Sequence, residues 1–271
     1  MRRGWESAGG REEGPGMAGE GVEETLVPPY RVSSLLYDRM VGEVLHQAWR
    51  ENFERLERRY ALSLDLVADV ACGTGLVTRY LVERGSRVFG VDRSEEMLRV
   101  AAARLKGSTG VALLRQDMRY LSLPSKVQTL VCATDSLNHL LSEEDVRRAL
   151  SSFASALEEG GHLLFDVNTA YQLREGGDET EWSFRVEGWR LNWRSEWVEE
   201  TSTATLTMHL ERADGREGGW VEVHRERAYP ADLLVSILEE AGFRRVEVWD
   251  AAGLGKPGAK TRRLQFAALR G

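Results

Sequence analysis

Two carboxylates, Asp69 and Asp92, stand 23 residues apart, each near the end of an apolar stretch. The first lies in VADVACGTG, Val67 to Gly75, and the second closes SRVFGVD. Between them the turn at Gly73 and Gly75 carries no Cβ and accepts positive φ, so a ligand can lie against bare backbone. A carboxylate about 20 residues beyond such a loop suits the hydroxyls of a ribose. Thr78 stands where a dinucleotide-binding GxGxxG loop places its third glycine or alanine. That weakens the NAD reading and leaves a different adenosine-containing ligand in view.

A second polar group follows another apolar run. In CATDSLNHL, Cys132 to Leu140, residues Asp135, Ser136, Asn138 and His139 fall at a strand's C-terminal tip, where open α/β sheets bind ligands. His139 has the unperturbed pKa of a general base for neutral pH; it could equally hydrogen-bond backbone. Ser136 and Asn138 could equally serve as caps. Five of the eight tryptophans lie between 182 and 220. They suit an aromatic substrate wall with cation–π contacts, or apolar glue for a small sheet; the glue is preferred. The five histidines show no ligand spacing with cysteine or one another, so no metal is expected. Cys72 and Cys132 sit on apolar elements and are expected as free thiols.

The elements that must position these groups alternate. Strands are expected at 66–71, 87–91, 111–115, 127–133 and 162–167, with helices at about 75–84, 94–106 and 142–158. Ser94 and Ser142 are plausible N-caps followed by acids, and Gly160 and Gly161 mark the end of the third helix. Nearly all-apolar strands in βα alternation mean a parallel sheet covered on both faces. Ser33 to Tyr60 has helical spacing and predicts two helices over the mouth of the sheet. After Asn168 the period becomes two, predicting an antiparallel insertion over 180–229 with a hairpin turn at ADGRE, Ala213 to Glu217. Pro230 opens a helix running to Ala241, and strands follow at 244–250 and 262–269. Residues 1–27 lack apolar periodicity and are expected to be a disordered tail, with Met17 a candidate start. The expected division is thus tail 1–27, helical cap 28–62, α/β core 63–179, insertion 180–229, and closing core elements 230–271.

DVACGTG, with GVDRSEEMLRVA from Gly90 to Ala101, resembles the cofactor motifs of class I S-adenosylmethionine-dependent methyltransferases. The likeness extends over residues 30–270 through the YD pair at Tyr37, FDVNT and the ERAY segment, Glu226 to Tyr229. It departs at Lys126-Val127-Gln128, where relatives carry a Phe-Asp pair. The resemblance implies a doubly wound, mostly parallel seven-stranded α/β sheet of Rossmann-like type, with its last two strands an antiparallel edge pair. It implies S-adenosyl-L-methionine as cofactor. Asp69, Ala71, Cys72, Gly73, Gly75 and Ala133 would lie along its methionine and ribose, with Asp92 on the ribose hydroxyls. Arg93 and Met97 would cover adenine, and Asp117 and Met118 would meet its amino edge. Tyr37 would approach the cofactor and His139 would act as base, with Asp135, Asn138 and Trp193 toward the acceptor.

The implied reaction is in-line methyl transfer to nitrogen or oxygen of a small molecule. The alternatives are a tRNA or protein methyltransferase, or a non-catalytic cofactor-binding sensor. A net charge of −7 and pI near 5.5 argue against bulk attraction to nucleic acid or anionic membrane. Arg244, Arg245, Arg262 and Arg263 read as scattered surface arginines. No apolar run approaches the roughly 18–20 residues of a bilayer span, and no signal peptide is evident. A cytoplasmic monomer or homodimer is expected.

Overall fold

The computed structural model describes residues 24–177, 181–214 and 218–271. Seven strands form the central sheet: β2 (Leu66–Val70), β3 (Arg87–Asp92), β4 (Val111–Arg115), β5 (Val127–Cys132), β6 (Leu157–Asn168), β11 (Phe243–Asp250) and β12 (Arg263–Arg270). Their order is β11-β12-β6-β5-β2-β3-β4. β2 pairs in parallel with β3 on one side and β5 on the other, so the chain reverses its direction of travel there. That switch point is where an open α/β sheet leaves a crevice beyond its strand ends. β12 alone runs antiparallel, between β6 and β11, as the resemblance implied.

Alternate residues of β2 enter two different cores, the consequence of a period-two strand covered on both faces. Ala68 and Val70 pack with α4 (Glu143–Ala156) and α6 (Ala231–Glu240) through Phe153, Leu150 and Ile237. Val67 packs oppositely, with Phe53 and Leu56 of α1 (Glu43–Tyr60) and Leu81 of α2 (Leu76–Glu83). Ser94 caps α3 (Glu95–Arg104) by accepting from Met97 N, and Ser142 caps α4 through Asp145 N.

Several expected boundaries move. α4 ends at Ala156, and Gly160 and Gly161 lie inside β6. Gly160 takes φ +77°, and a Cβ on Gly161 would meet the carbonyls of Gln128 and Glu158 at 3.0 Å. The pair lets β6 bend against β5 where their register shifts. Instead of two α-helices, the N-terminal segment forms a 3₁₀ turn (Ser33–Leu35) and a π turn (Asp38–Gly42) leading into α1. A further helix, α5 (Ala170–Gly177), has no counterpart among the expected elements.

The insertion is a meander of β7 (Glu181–Val186), β8 (Trp189–Val198), β9 (Thr203–Arg212) and β10 (Gly219–Arg227). The turn between β9 and β10 lies partly outside the described residues. β1 (Glu24–Val27) adds to β10 in parallel, so the last four residues of the expected tail are a strand; residues 1–23, with Met17, lie outside the described residues. One face of the insertion, with Trp189, Leu191, Met208 and Leu210, packs on Val32 and Leu36. Among the described residues no helix is long and apolar enough to cross a membrane.

Candidate active site

A cavity of about 680 Å³ opens at the switch point, beyond the C-terminal ends of β2, β3 and β5. One half is built by the glycine turn. Ala71 and Gly73 adopt φ +57° and +53°, and the space off the Cα of Gly73 is open for 4 Å. Asp92 faces this turn: one carboxylate oxygen accepts from Gly73 N at 2.9 Å, the other from Ser94 N at 2.8 Å. Asp92 lines the cavity, and a carboxylate there can accept from a ribose diol. Burial raises the pKa of Asp92, while these backbone donors lower it.

Asp69 lines the same wall, 1 % exposed, and accepts from Thr78 Oγ1 at 2.5 Å. Burial pushes its pKa up to about 7, with the Asp92 charge adding to the shift and the Thr78 bond opposing it. Thr78 therefore replaces the third glycine for a reason: its hydroxyl occupies that space to hold Asp69. Gly75 serves differently from the expectation. Its φ is +80°, but a Cβ there would meet Ala101 of α3 at 3.1 Å, so its bareness seats a helix and it does not line the cavity.

The other half is closed by the turn from Pro28 to Ser33, held from below by one side chain. Glu222 of β10, fully buried, accepts from the backbone N–H groups of Tyr30, Val32 and Ser33, from Ser33 Oγ and from His224 Nε2. Those bonds keep its pKa low in spite of burial. They also hold Tyr30 at φ +65°, a conformation a bulky residue adopts only when its surroundings enforce it. The phenol then reaches His139, with Oη 3.0 Å from Nε2. His139 Nδ1 lies 3.2 Å from the Arg225 carbonyl, which can only accept, so Nδ1 carries the proton and Nε2 accepts from Tyr30. Burial lowers the His139 pKa, with Asp135 opposing, and burial raises the pKa of Tyr30 and of Tyr37.

Asp38 anchors the YD pair. It accepts from Thr74 Oγ1 at 2.7 Å and pairs with Arg104, which also reaches the Thr74 carbonyl. Tyr37 is thereby fixed on the cavity wall beside the glycine turn.

The cavity wall brings together Asp69, Ala71, Cys72, Gly73, Asp92, Arg93, Met97, Asp117, Met118, Ala133, His139 and Tyr37. Asp117 is tied to Arg119 by a forked pair, which holds its carboxyl below the ordinary range. Asn138 is elsewhere: fully buried, it clamps the backbone of Asn168 and the Arg227 carbonyl. Trp193 packs in the apolar cluster of the insertion and does not line the cavity. Asp135 lies between the wall residues Thr134 and Ser136, in an ion cluster with Arg263 and Asp166. Arg263, read as a surface arginine, is therefore interior. Sequence reasoning missed Tyr30, Glu222, Asp166, Arg263 and His46. His46 lines the cavity, and its buried Nε2 has no partner among the described residues.

These features fit S-adenosylmethionine: open backbone at Gly73, the Asp92 carboxylate on the cavity wall, and the His46 imidazole beside them. Fold and site together define a class I S-adenosylmethionine-dependent methyltransferase. Residues 67–161 match the methyltransferase domain family. A Geobacillus sp. (strain WCH70) protein, a methyltransferase by name without a stated acceptor, is 28 % identical over 243 residues, 88 % of this chain and 98 % of that one. The dTDP-3-amino-3,4,6-trideoxy-alpha-D-glucopyranose N,N-dimethyltransferase of Streptomyces venezuelae is 29 % identical over 188 residues, 69 % of this chain and 73 % of that one. The crystal structure of an S-adenosylmethionine-dependent methyltransferase from Clostridium acetobutylicum superposes with a TM-score of 0.77 at 23 % identity, covering 88 % of this chain and 97 % of that one.

Proposed function

We propose that the chain methylates a nitrogen or oxygen of a small molecule that arrives with a proton on its nucleophilic atom. The observation that carries this is the Tyr30–His139 hydrogen bond on the cavity wall. Bound S-adenosylmethionine supplies the methyl group and a sulfonium leaving group for in-line displacement. The glycine turn and Asp92 hold the nucleoside, Asp117 and Met118 border the adenine end, and His46 Nε2 faces the amino-acid end. A cavity of this size has room to hold nucleophile and methyl in line, and such alignment contributes on the order of 7–11 kcal/mol.

Tyr30 and His139 remove the acceptor's proton. The acceptor gives it to Tyr30 Oη, and the phenolic proton passes to His139 Nε2, whose lone pair is free because Nδ1–H is committed to Arg225. The imidazolium so formed later loses its proton to solvent. The small-molecule acceptor is supported by the cavity and by the nucleotide sugar named for the Streptomyces venezuelae relative. The test is methyl transfer from labelled S-adenosylmethionine to amines, hydroxy acids, phenols and bulk tRNA. Label in small molecules alone supports the assignment, and label in tRNA alone rejects it.

A further inference from the structure

Next to the wall formed by Thr134 and Ser136, two carboxylates share one guanidinium and a third lies close by. Arg263 pairs with Asp135 at 3.0 Å and with Asp166. Asp166 also accepts from Thr134 N and Asp135 N, both at 2.9 Å. This holds two successive residues in the left-handed region, Thr134 at φ +54° and Asp135 at φ +53°. Such strain persists only where the surroundings over-determine it, and it aims the Asp135 side chain inward. Asp166 and Asp135 are thus matched by Arg263 and by backbone.

Glu226 of β10 is not matched. Among the described residues its only hydrogen bond comes from Asn168 Nδ2 at 3.0 Å. The same nitrogen donates to Asp135 Oδ2 at 2.6 Å, so both amide protons of Asn168 go to carboxylates. Its Oδ1 is buried with no partner among the described residues, on a residue 6 % exposed. An orphaned buried acceptor forfeits about 1–3 kcal/mol, so such an atom calls for a donor. The group therefore offers three acceptors, and among the described residues Glu226 has no cation of its own. A hydroxyl would bring a single proton and no charge. An ammonium brings up to three N–H donors and the missing charge.

We propose that Glu226, Asp135 and the Asn168 Oδ1 form a subsite for an ammonium group of the methyl acceptor, which makes the acceptor a cationic amine. This rests on the methyl-transfer function above. Burial and the neighbouring Asp135 push the Glu226 pKa up to about 8, the response of a carboxyl that lacks a cation. Asp135 and Glu226 keep some accessible surface, and Asp135 sits between the wall residues Thr134 and Ser136. Tyr30 and Tyr37 feel both acids, which places the subsite beside the proton-accepting pair.

The experiment is calorimetry on the full chain saturated with S-adenosylhomocysteine, using matched probes: glucosamine against glucose, and ethanolamine against ethylene glycol. The amine of a pair should bind at least about tenfold more tightly than its neutral partner. Glu226→Gln and Glu226→Leu should abolish that preference while leaving the S-adenosylhomocysteine affinity within about twofold, which also shows that they fold. Equal binding of amine and neutral partner, binding by neither amine, or a preference that survives both substitutions overturns the subsite. Failure of wild type to bind S-adenosylhomocysteine would instead overturn the cofactor assignment, so the two failures are separable.

Discussion

Tyr30 donates to Nε2 of His139 at 3.0 Å, joining a turn near the N-terminus to the tip of β5 across 109 residues of sequence. Replacing Tyr30 by Phe removes the proton path and keeps the ring. Turnover should then fall by about 10²–10⁴-fold, with S-adenosylhomocysteine affinity unchanged. The base works only as neutral imidazole, and burial holds the His139 pKa below its ordinary value. The rate should therefore be level through neutral pH and decline only on the acid side, below about 6.5. A pH–rate profile of wild type and His139→Gln checks this; an acid limb that persists in the variant assigns it to another group.

Asp69 makes stability depend on pH. Its folded pKa of about 7 exceeds the ordinary 3.8, so the folded chain holds a proton that the unfolded chain has released between those values. Its contribution is complete below about pH 4 and is lost as pH rises through 7, about 4 kcal/mol in all. Asp69→Asn keeps an oxygen for Thr78 and removes the titration. Denaturant melts across pH 4 to about 8 should show wild type losing stability relative to this variant. Parallel curves would show that Asp69 ionises normally.

Glu222 holds the turn that carries Tyr30. Glu222→Ala strands three backbone donors, and the expected loss is on the order of 3–5 kcal/mol. Turnover should also fall, because Tyr30 can relax from its positive φ and leave His139. A stability loss below about 1 kcal/mol in urea melts would mean that the turn is held by other contacts.

The βα order, the two caps and the edge pair were legible because apolar period and capping chemistry are local. The glycine turn and Asp92 were legible because a ligand must meet bare backbone beside an acceptor. Glu222, His224 and Glu226 were not. On β10 these alternate residues face inward, while Val221 and Val223 face the more open side. A period of two locates both faces but ranks the apolar one as buried. The partners of this inward polar row are Tyr30, Val32, Ser33 and Asn168, up to 192 residues away, so nothing near it in sequence announces it. Tyr30 itself lay just past the tail boundary, with only Pro28-Pro29 to signal a turn. Arg263 resembled its exposed neighbours because its partners sit on β6 and in the turn after β5. Gly160 and Gly161 misled because a glycine pair ends a helix as readily as it bends a strand.

The most direct measurement is a calorimetric titration of S-adenosylhomocysteine into wild type and Asp92→Ala. Wild type should bind one equivalent. Losing two charge-assisted hydrogen bonds, at about 1.5–3 kcal/mol each, should weaken the variant by at least about 100-fold. No heat with wild type, or the same affinity in both proteins, would contradict the account.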